Sequence, residues 1–324
     1  MLCGRCYYLG FSDSHSTQMA VRRYSPSMGS FTKLIGTRYN EALESKHLIF
    51  IESRAESVSE NGLTYQIRCA PSLAKKSESI KNETTGKMHN PFLPPAPQLV
   101  VCGMGADHTI VLNKFCILPR HFLLITNEFQ KQTEPLSPED LASTWECLSL
   151  VDKRHLAFFN CGKVSGASQD HKHVQFIEVE DLKMYPDDIS LSSSLEPASH
   201  PSVPFAHFVL PVPKEHSGLD LASIFAVLLS STMTASRLSD VKVFAYNFCM
   251  TKEWMFMAPR SKEHWKDISI NSTGMVGLLL TKSDEELQDV KHTRIVEILE
   301  HVGIPKSDGN VDRSGSASDH ENKI

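Results

Sequence analysis

The chain has 324 residues, 41% of them hydrophobic, and a net charge of -5, enough to bury a substantial core as one large or two smaller domains. That charge excludes a global pull on nucleic acid or on an anionic membrane, so a polyanionic ligand must be met by a local cluster of donors. Eight cysteines fall at irregular spacings, and the sequence offers neither a signal segment nor an apolar run of about 18 residues, which reads as a reducing, cytoplasmic setting.

Residues 1–30 hold Arg5, Arg22 and Arg23, several serines and one acid, Asp13. That is the composition of a disordered extension or of a mitochondrial presequence. Cys3 and Cys6 form the one close cysteine pair, without the second pair that a zinc site needs. The spacing of apolar residues predicts a short helix from Phe31 through Ala42 and a strand or turn at Leu48–Ile51. After the turn dipeptide Asn61-Gly62, the run Leu63–Arg68 alternates as a half-buried strand does. Lys75 and Lys76 follow, and two adjacent lysines after a strand ordinarily form a solvated face.

Residues 77–88 are polar, and the proline-rich stretch 91–97 reads as a rigid extended connector. Beyond it Leu99–Cys102, His108–Phe115 and Pro119–Thr126 predict an antiparallel meander. Ser137 followed by Pro138, Glu139 and Asp140 predicts a capped helix start, with Leu141, Trp145 and Leu148 on its core face. Ala157–Asn160 is the next strand, and it feeds a loop of small polar residues, Ser165, Gly166, Ala167, Ser168 and Gln169.

On an extended chain His171, His173, Gln175 and Ile177 share one face, while Val174 and Phe176 pack on the other. A loop of hydroxyls, glycine and free backbone N–H groups suits phosphate oxygens. Beside it an unprotonated imidazole is a nucleophile for phosphorus. A bare His-x-His more often marks a metal pair or ordinary strand residues. The neighbouring hydroxyls and the glutamine move the reading towards chemistry.

Residues 181–204, rich in serine, proline and aspartate, read as a surface crossing between halves. A strand at His207–Leu210, a helix over Leu219–Leu229, a strand pair at Val241–Asn247 and Trp254–Pro259, and a capped helix from Ser283 to about His301 complete the pattern. Residues 306–324 have the composition of a disordered tail.

The segment from Asn160 to Gln175 resembles the active-site strand of the histidine triad superfamily in its transferase branch, where glutamine replaces the third histidine. It is similar to the diadenosine tetraphosphate phosphorylases, also called ATP adenylyltransferases. Lys172 stands where galactose-1-phosphate uridylyltransferases typically carry proline. Further matches lie at Val111–Thr126, Tyr246–Ser261 and Ile270–Leu287, with a weaker one before Pro91. The resemblance implies an α+β, histidine-triad-like fold: mostly antiparallel sheet with helices packed on one side, residues 31–180 and 205–305 forming two halves of one site.

It further implies reversible phosphorolysis of diadenosine tetraphosphate by inorganic phosphate to ATP and ADP. His173 would be the nucleophile, assisted by His171 and Gln175. Substrate would be held by Lys75 or Lys76, Asn113, Lys114, Asn160, Gly166, Ala167, Ser168, Gln169, Asn271, Ser272, Thr273, Leu278 and Lys282. A divalent cation, Mg or Mn, would arrive with the polyphosphate and without a protein metal site. The alternatives are a dinucleoside polyphosphate hydrolase, a uridylyltransferase-like enzyme and a non-catalytic nucleotide sensor. Nuclear entry and mitochondrial targeting stay open beside the cytoplasm.

Overall fold

Alternation of apolar and polar residues decides most of the strands. In β5 (Leu63–Cys69), for example, Leu63, Tyr65, Ile67 and Cys69 are buried while Thr64 is exposed. The computed structural model describes residues 6–9, 21–24, 28–73, 90–239 and 241–306. Before β5 come β1 (Cys6–Leu9), β2 (Val21–Tyr24), helix α1 (Met28–Glu44), β3 (Ile49–Phe50) and β4 (Arg54–Glu60). Then follow β6 (Val100–Met104), β7 (His108–Leu112), β8 (Phe115–Cys116), β9 (Phe122–Thr126), α2 (Pro138–Leu150), β10 (His155–Cys161) and β11 (His173–Glu178). The second half adds β12 (Phe208–Pro211), α3 (Gly218–Leu238), β13 (Tyr246–Met250), β14 (Trp254–Pro259), β15 (His264–Trp265) and β16 (Ile268–Ser269). It ends with α4 (Ser272–Met275), β17 (Leu278–Thr281), α5 (Asp284–His292) and α6 (Ile295–Val302).

Ten strands form one antiparallel sheet in the order β12-β14-β13-β10-β11-β9-β7-β6-β1-β2. At its middle β11 lies between β10, through Phe158↔Gln175, and β9, through His173↔Ile125 and Gln175↔Leu123. Val174 and Phe176 face the helices with Phe122, Leu124 and Phe159. There they meet Phe31 and Ile35 of α1, Leu141 and Leu148 of α2, and Leu221, Ile224, Phe225 and Leu228 of α3. His173 and Gln175 therefore face the opposite way, as the alternation requires. Ser137 starts α2 with a reciprocal capping box to Asp140.

The far face is covered by a three-stranded sheet in which both halves of the chain meet. β17 runs parallel to β5 (Leu280↔Arg68), and β5 pairs antiparallel with β4. Tyr65, Ile67, Leu278 and Leu279 join Phe158, Ile177, Phe256, Leu287 and Leu299 in a second core. Helices thus cover both faces, where one was expected.

Other expectations need correction. Residues 1–30 contain two strands, β1 and β2, at the sheet edge. The strand expected from Val241 begins only at Tyr246, with Val243 and Phe244 exposed. The helix expected over 283–301 is broken between His292 and Ile295, where Thr293 takes extended backbone and α6 begins anew. An apolar helix of membrane-crossing length and composition does exist, α3; its stripe of Leu221, Ile224, Phe225 and Leu228 packs on the sheet. Lys306, expected in the tail, docks through its N–H to Pro204 O and its Nζ to His200 O, both at 2.8 Å. Lys75, Lys76 and residues 307–324 lie outside the described residues.

Candidate active site

β10 ends at Cys161 and turns through Gly162 (φ 85°), a short 3-10 turn at Lys163–Ser165 and Gly166 (φ 89°). Gly166 is required twice over. Its backbone is left-handed, and a Cβ there would lie 3.0 Å from Asn271 Cβ and 3.1 Å from Ile270 O. The loop is thereby pressed against residues of the other half. The N–H groups of Gly166 and Ala167 donate within the turn, to Lys163 O (2.8 Å) and Gly162 O (3.3 Å). The expected phosphate cradle thereby loses both of those donors.

The two imidazoles have separate duties. His171 Nε2 lies 2.9 Å from Thr126 O, to which it can only donate, and its Nδ1 accepts from Asn90 Nδ2 at 3.0 Å. Both of its nitrogens are occupied. His173 donates from Nδ1 to the carbonyl of His171 at 2.8 Å, so its neutral ring keeps a bare lone pair on Nε2. Burial pushes the His173 pKa down to about 4, which keeps the ring unprotonated at neutral pH. The residue is only 4% exposed, with the ring of Phe92 packed 5.3 Å away and also 5.6 Å from His171.

Next to this strand lies a cleft of about 430 Å³ between the main sheet and the small one. Gln175, Asn160, Ser168, Asn113, Asn271, Thr273, Leu278 and Lys282 line it, and so does Gly166. Phe115, Ile117, Leu118, Phe158 and Ile177 give it an apolar side. Its charged lining residues are Arg68 and Lys282, with no carboxylate among them. Among the described residues Arg68 donates only to neutral oxygens, Ser53 Oγ at 3.0 Å and Gln66 Oε1 at 3.4 Å. Such walls suit an anion carrying a flat apolar group. Among the described residues no group of three or more His, Cys, Asp or Glu could hold a metal ion.

Asn160 and Ser272 join the halves beneath the cleft. Asn160 Oδ1 accepts from Asn247 Nδ2 (2.9 Å), Ser272 N (2.9 Å) and Ser272 Oγ (2.7 Å). Arg260 donates to Asn247 Oδ1 at 2.5 Å, to Ile270 O at 2.7 Å and to Val302 O at 3.0 Å. Its burial among neutral acceptors lowers its pKa to about 9. Ser272 is fully buried in this network, so it supports the wall and does not form it. Asn271 caps α4 through Oδ1, which accepts from Thr273 N at 3.0 Å. Lys114 points its Nζ over the Phe115 ring at 5.3 Å, and neither it nor Ala167 nor Gln169 lines the cleft.

Four residues escaped the reading of the sequence. Arg68 carried a signal, since it alternates with the buried Ile67 and Cys69 and so must face away from their core. Phe92 was absorbed into a connector. His121 was absorbed into a core strand, although it stands at period two from Leu123 and Ile125, on the His173 face. Gln132 gave no signal. Its side chain accepts from His173 N (2.8 Å) and donates to Asn160 O (3.0 Å) and His173 O (3.3 Å).

The family model described as the Ap4A phosphorylase N-terminal domain matches residues 22–195, and that of the ATP adenylyltransferase C-terminal domain matches residues 201–305. The chain is 33% identical over 308 residues to Protein APA1 of Saccharomyces cerevisiae, covering 85% of this chain and 95% of that protein. It is 34% identical over 291 residues to diadenosine 5',5'''-P1,P4-tetraphosphate phosphorylase 2 of the same yeast, covering 80% and 87%. Crystal structures of yeast Ap4A phosphorylase Apa2 share its fold: the first has a TM-score of 0.75 at 28% identity, covering 86% of this chain and 96% of that one. The complex with AMP gives 0.77 at 28%, covering 88% and 99%.

Proposed function

Because the chain belongs to the Ap4A phosphorylase and ATP adenylyltransferase family, and is thereby a nucleotidyltransferase, we propose that it catalyses reversible phosphorolysis of diadenosine tetraphosphate by inorganic phosphate, giving ATP and ADP. One observation carries the reading: a neutral His173, its Nδ1–H held by the His171 carbonyl and its Nε2 lone pair free, buried on the same strand face as Gln175, which lines a cleft whose charged residues are cationic. Yeast Apa2, solved with AMP and with Ap4A, makes those nucleotides the natural candidates.

His173 Nε2 attacks the α-phosphorus of one adenylate as the bond to the bridging oxygen breaks. ATP leaves, and an adenylyl-histidine remains. An anionic oxygen of inorganic phosphate then attacks the same phosphorus, the N–P bond breaks, and ADP leaves with His173 restored. Gln175 and Ser168, through its hydroxyl and its N–H, hold non-bridging oxygens while their charge shifts. Arg68 and Lys282 meet the remaining phosphates. A divalent cation comes with the polyphosphate and is held mainly by it; among the described residues no carboxylate lines the cleft.

Phosphate is preferred to water because water must lose a proton as it attacks, and an amide at position 175 cannot take it. Diadenosine tetraphosphate should be consumed only when phosphate is added, with ATP and ADP formed one to one. ATP and AMP appearing at full rate without phosphate would replace this assignment by a hydrolase.

A further inference from the structure

Two polar groups of the cleft each lack what the other can supply. Asn113 accepts from the N–H of Phe115 through Oδ1 at 3.3 Å, which turns its Nδ2 towards His121 Nδ1 at 3.0 Å. The pair is locked further by the N–H of Asn113 donating to the His121 carbonyl at 2.9 Å. An amide nitrogen only donates, so His121 Nδ1 accepts and the ring's single proton sits on Nε2. That Nε2–H is buried without a hydrogen-bond partner among the described residues, on a residue 7% exposed that lines the cleft. A buried donor left alone forfeits its hydration for nothing.

Gln175 has the complementary need. Its amide can lie either way round, and only with the NH2 group towards the ligand does it hold anionic oxygens; reversed, it sets carbonyl lone pairs against them. Something must hold Oε1. Gln175 pairs with Leu123 across the β11–β9 ladder, and His121 lies two residues before Leu123 on the same face. Gln175 is near enough to His121 to favour its protonated ring, although no hydrogen bond of good geometry is made to Nε2.

We propose that His121 is a positioning residue whose Nε2–H donates to Gln175 Oε1 when nucleotide binds, so that an Asn113–His121–Gln175 relay turns the Gln175 NH2 towards the phosphate oxygens. The proposal rests on the adenylyl-transfer reading of the same site. It requires a neutral His121, because a proton on Nδ1 would face the Asn113 NH2 group.

The test uses asparagine and glutamine as partial mimics of the ring, since Asn places its NH2 near the Nδ1 position and Gln near the Nε2 position. His121→Asn should lower kcat of phosphate-dependent turnover by about tenfold to a hundredfold with little change in KM, and His121→Gln should restore most of it. In a Gln175→Ala background, His121→Asn should have no further effect. Additive losses, or a raised KM at unchanged kcat, would overturn the relay and make His121 a direct ligand contact. Near-UV circular dichroism reports whether each variant is folded. Nitrogen-15 imidazole spectra of the wild type and of Gln175→Ala provide a second arm. They should show His121 protonated on Nε2, with that resonance moving on nucleotide binding only when Gln175 is present; protonation on Nδ1, or a shift indifferent to Gln175, refutes the relay. If the wild type lacks phosphate-dependent turnover, the adenylyl-transfer reading fails, and the spectra still decide the relay.

Discussion

His173 and His121 share an environment that works against charge. Burial holds both pKa values at about 4 in the folded chain, against about 6.5 for an ordinary imidazole. Between those values the unfolded chain binds protons that the folded chain refuses. The stabilisation is therefore complete above pH of about 6.5 and is lost as the pH falls towards about 4. Thermal midpoints should decline across that window, and His173→Gln should remove part of the decline. The same burial governs chemistry: single-turnover formation of the adenylyl-enzyme should stay level from pH of about 8 to about 5.5. An acid limb centred near the ordinary histidine value would mean that the nucleophile is solvated and the burial argument is wrong. The two-residue alternation of His171, His173 and Gln175 was readable from the sequence. The carbonyl that fixes the His173 tautomer was not, because it depends on the ring lying back over its own backbone.

Among the elements, the pairing of β10 with β11 is the one on which the nucleophile depends. Their ladder runs as far as Phe158↔Gln175, and in that register Phe159 would next face Val174, and then Asn160 would face His173. Here the Gln132 carboxamide stands between the strands, bonded to the N–H and carbonyl of His173 and the carbonyl of Asn160 at 2.8, 3.3 and 3.0 Å. On the other side of the strand, Lys172 Nζ reaches Gln130 Oε1, Pro135 O and Asp140 Oδ2 at 2.8, 3.2 and 3.3 Å. The segment from Gln130 to Pro135 thus holds the strand twice, by its backbone at His173 and by the Lys172 side chain. Gln132→Met keeps the length and removes the three bonds, at a cost of about 1–3 kcal/mol for the stranded backbone groups. If the clamp sets the line of attack, kcat should fall by about tenfold to a hundredfold while AMP affinity stays nearly constant. A Gln132→Met enzyme as fast as the wild type per folded molecule would reduce the clamp to a stability feature. Strand and helix existence followed from periodicity, as in β5 and α2. Gln132 did not, because a side chain doing the work of a backbone rung leaves no period. The break between α5 and α6 was also hidden, since Leu287, Val290, Ile295 and Ile298 keep a helical spacing across it.

For the whole molecule, the question is whether the two segments matched by separate family models, 22–195 and 201–305, are separate folding units. The structure argues that they are not. β17 takes its parallel partner from β5, some two hundred residues away, and the second core takes side chains from both segments: Tyr65, Ile67, Phe158 and Ile177 with Phe256, Leu279, Leu287 and Leu299. Asn160 belongs to the first segment, yet its Oδ1 is satisfied by Asn247 and Ser272 of the second. Alone, residues 1–195 would expose one face of that core and leave β5 with an open edge where β17 pairs, an arrangement prone to aggregate. The exposed run from Ser192 to Glu196 offers a place to cut without touching the cores. Residues 1–195 expressed alone should therefore show no cooperative thermal transition and no AMP binding, although they contain His171, His173 and Gln175. Co-expression with residues 196–324 should restore both, together with phosphate-dependent turnover. A soluble 1–195 fragment that melts cooperatively and binds AMP would contradict the shared core, and would place nucleotide recognition within the first segment alone.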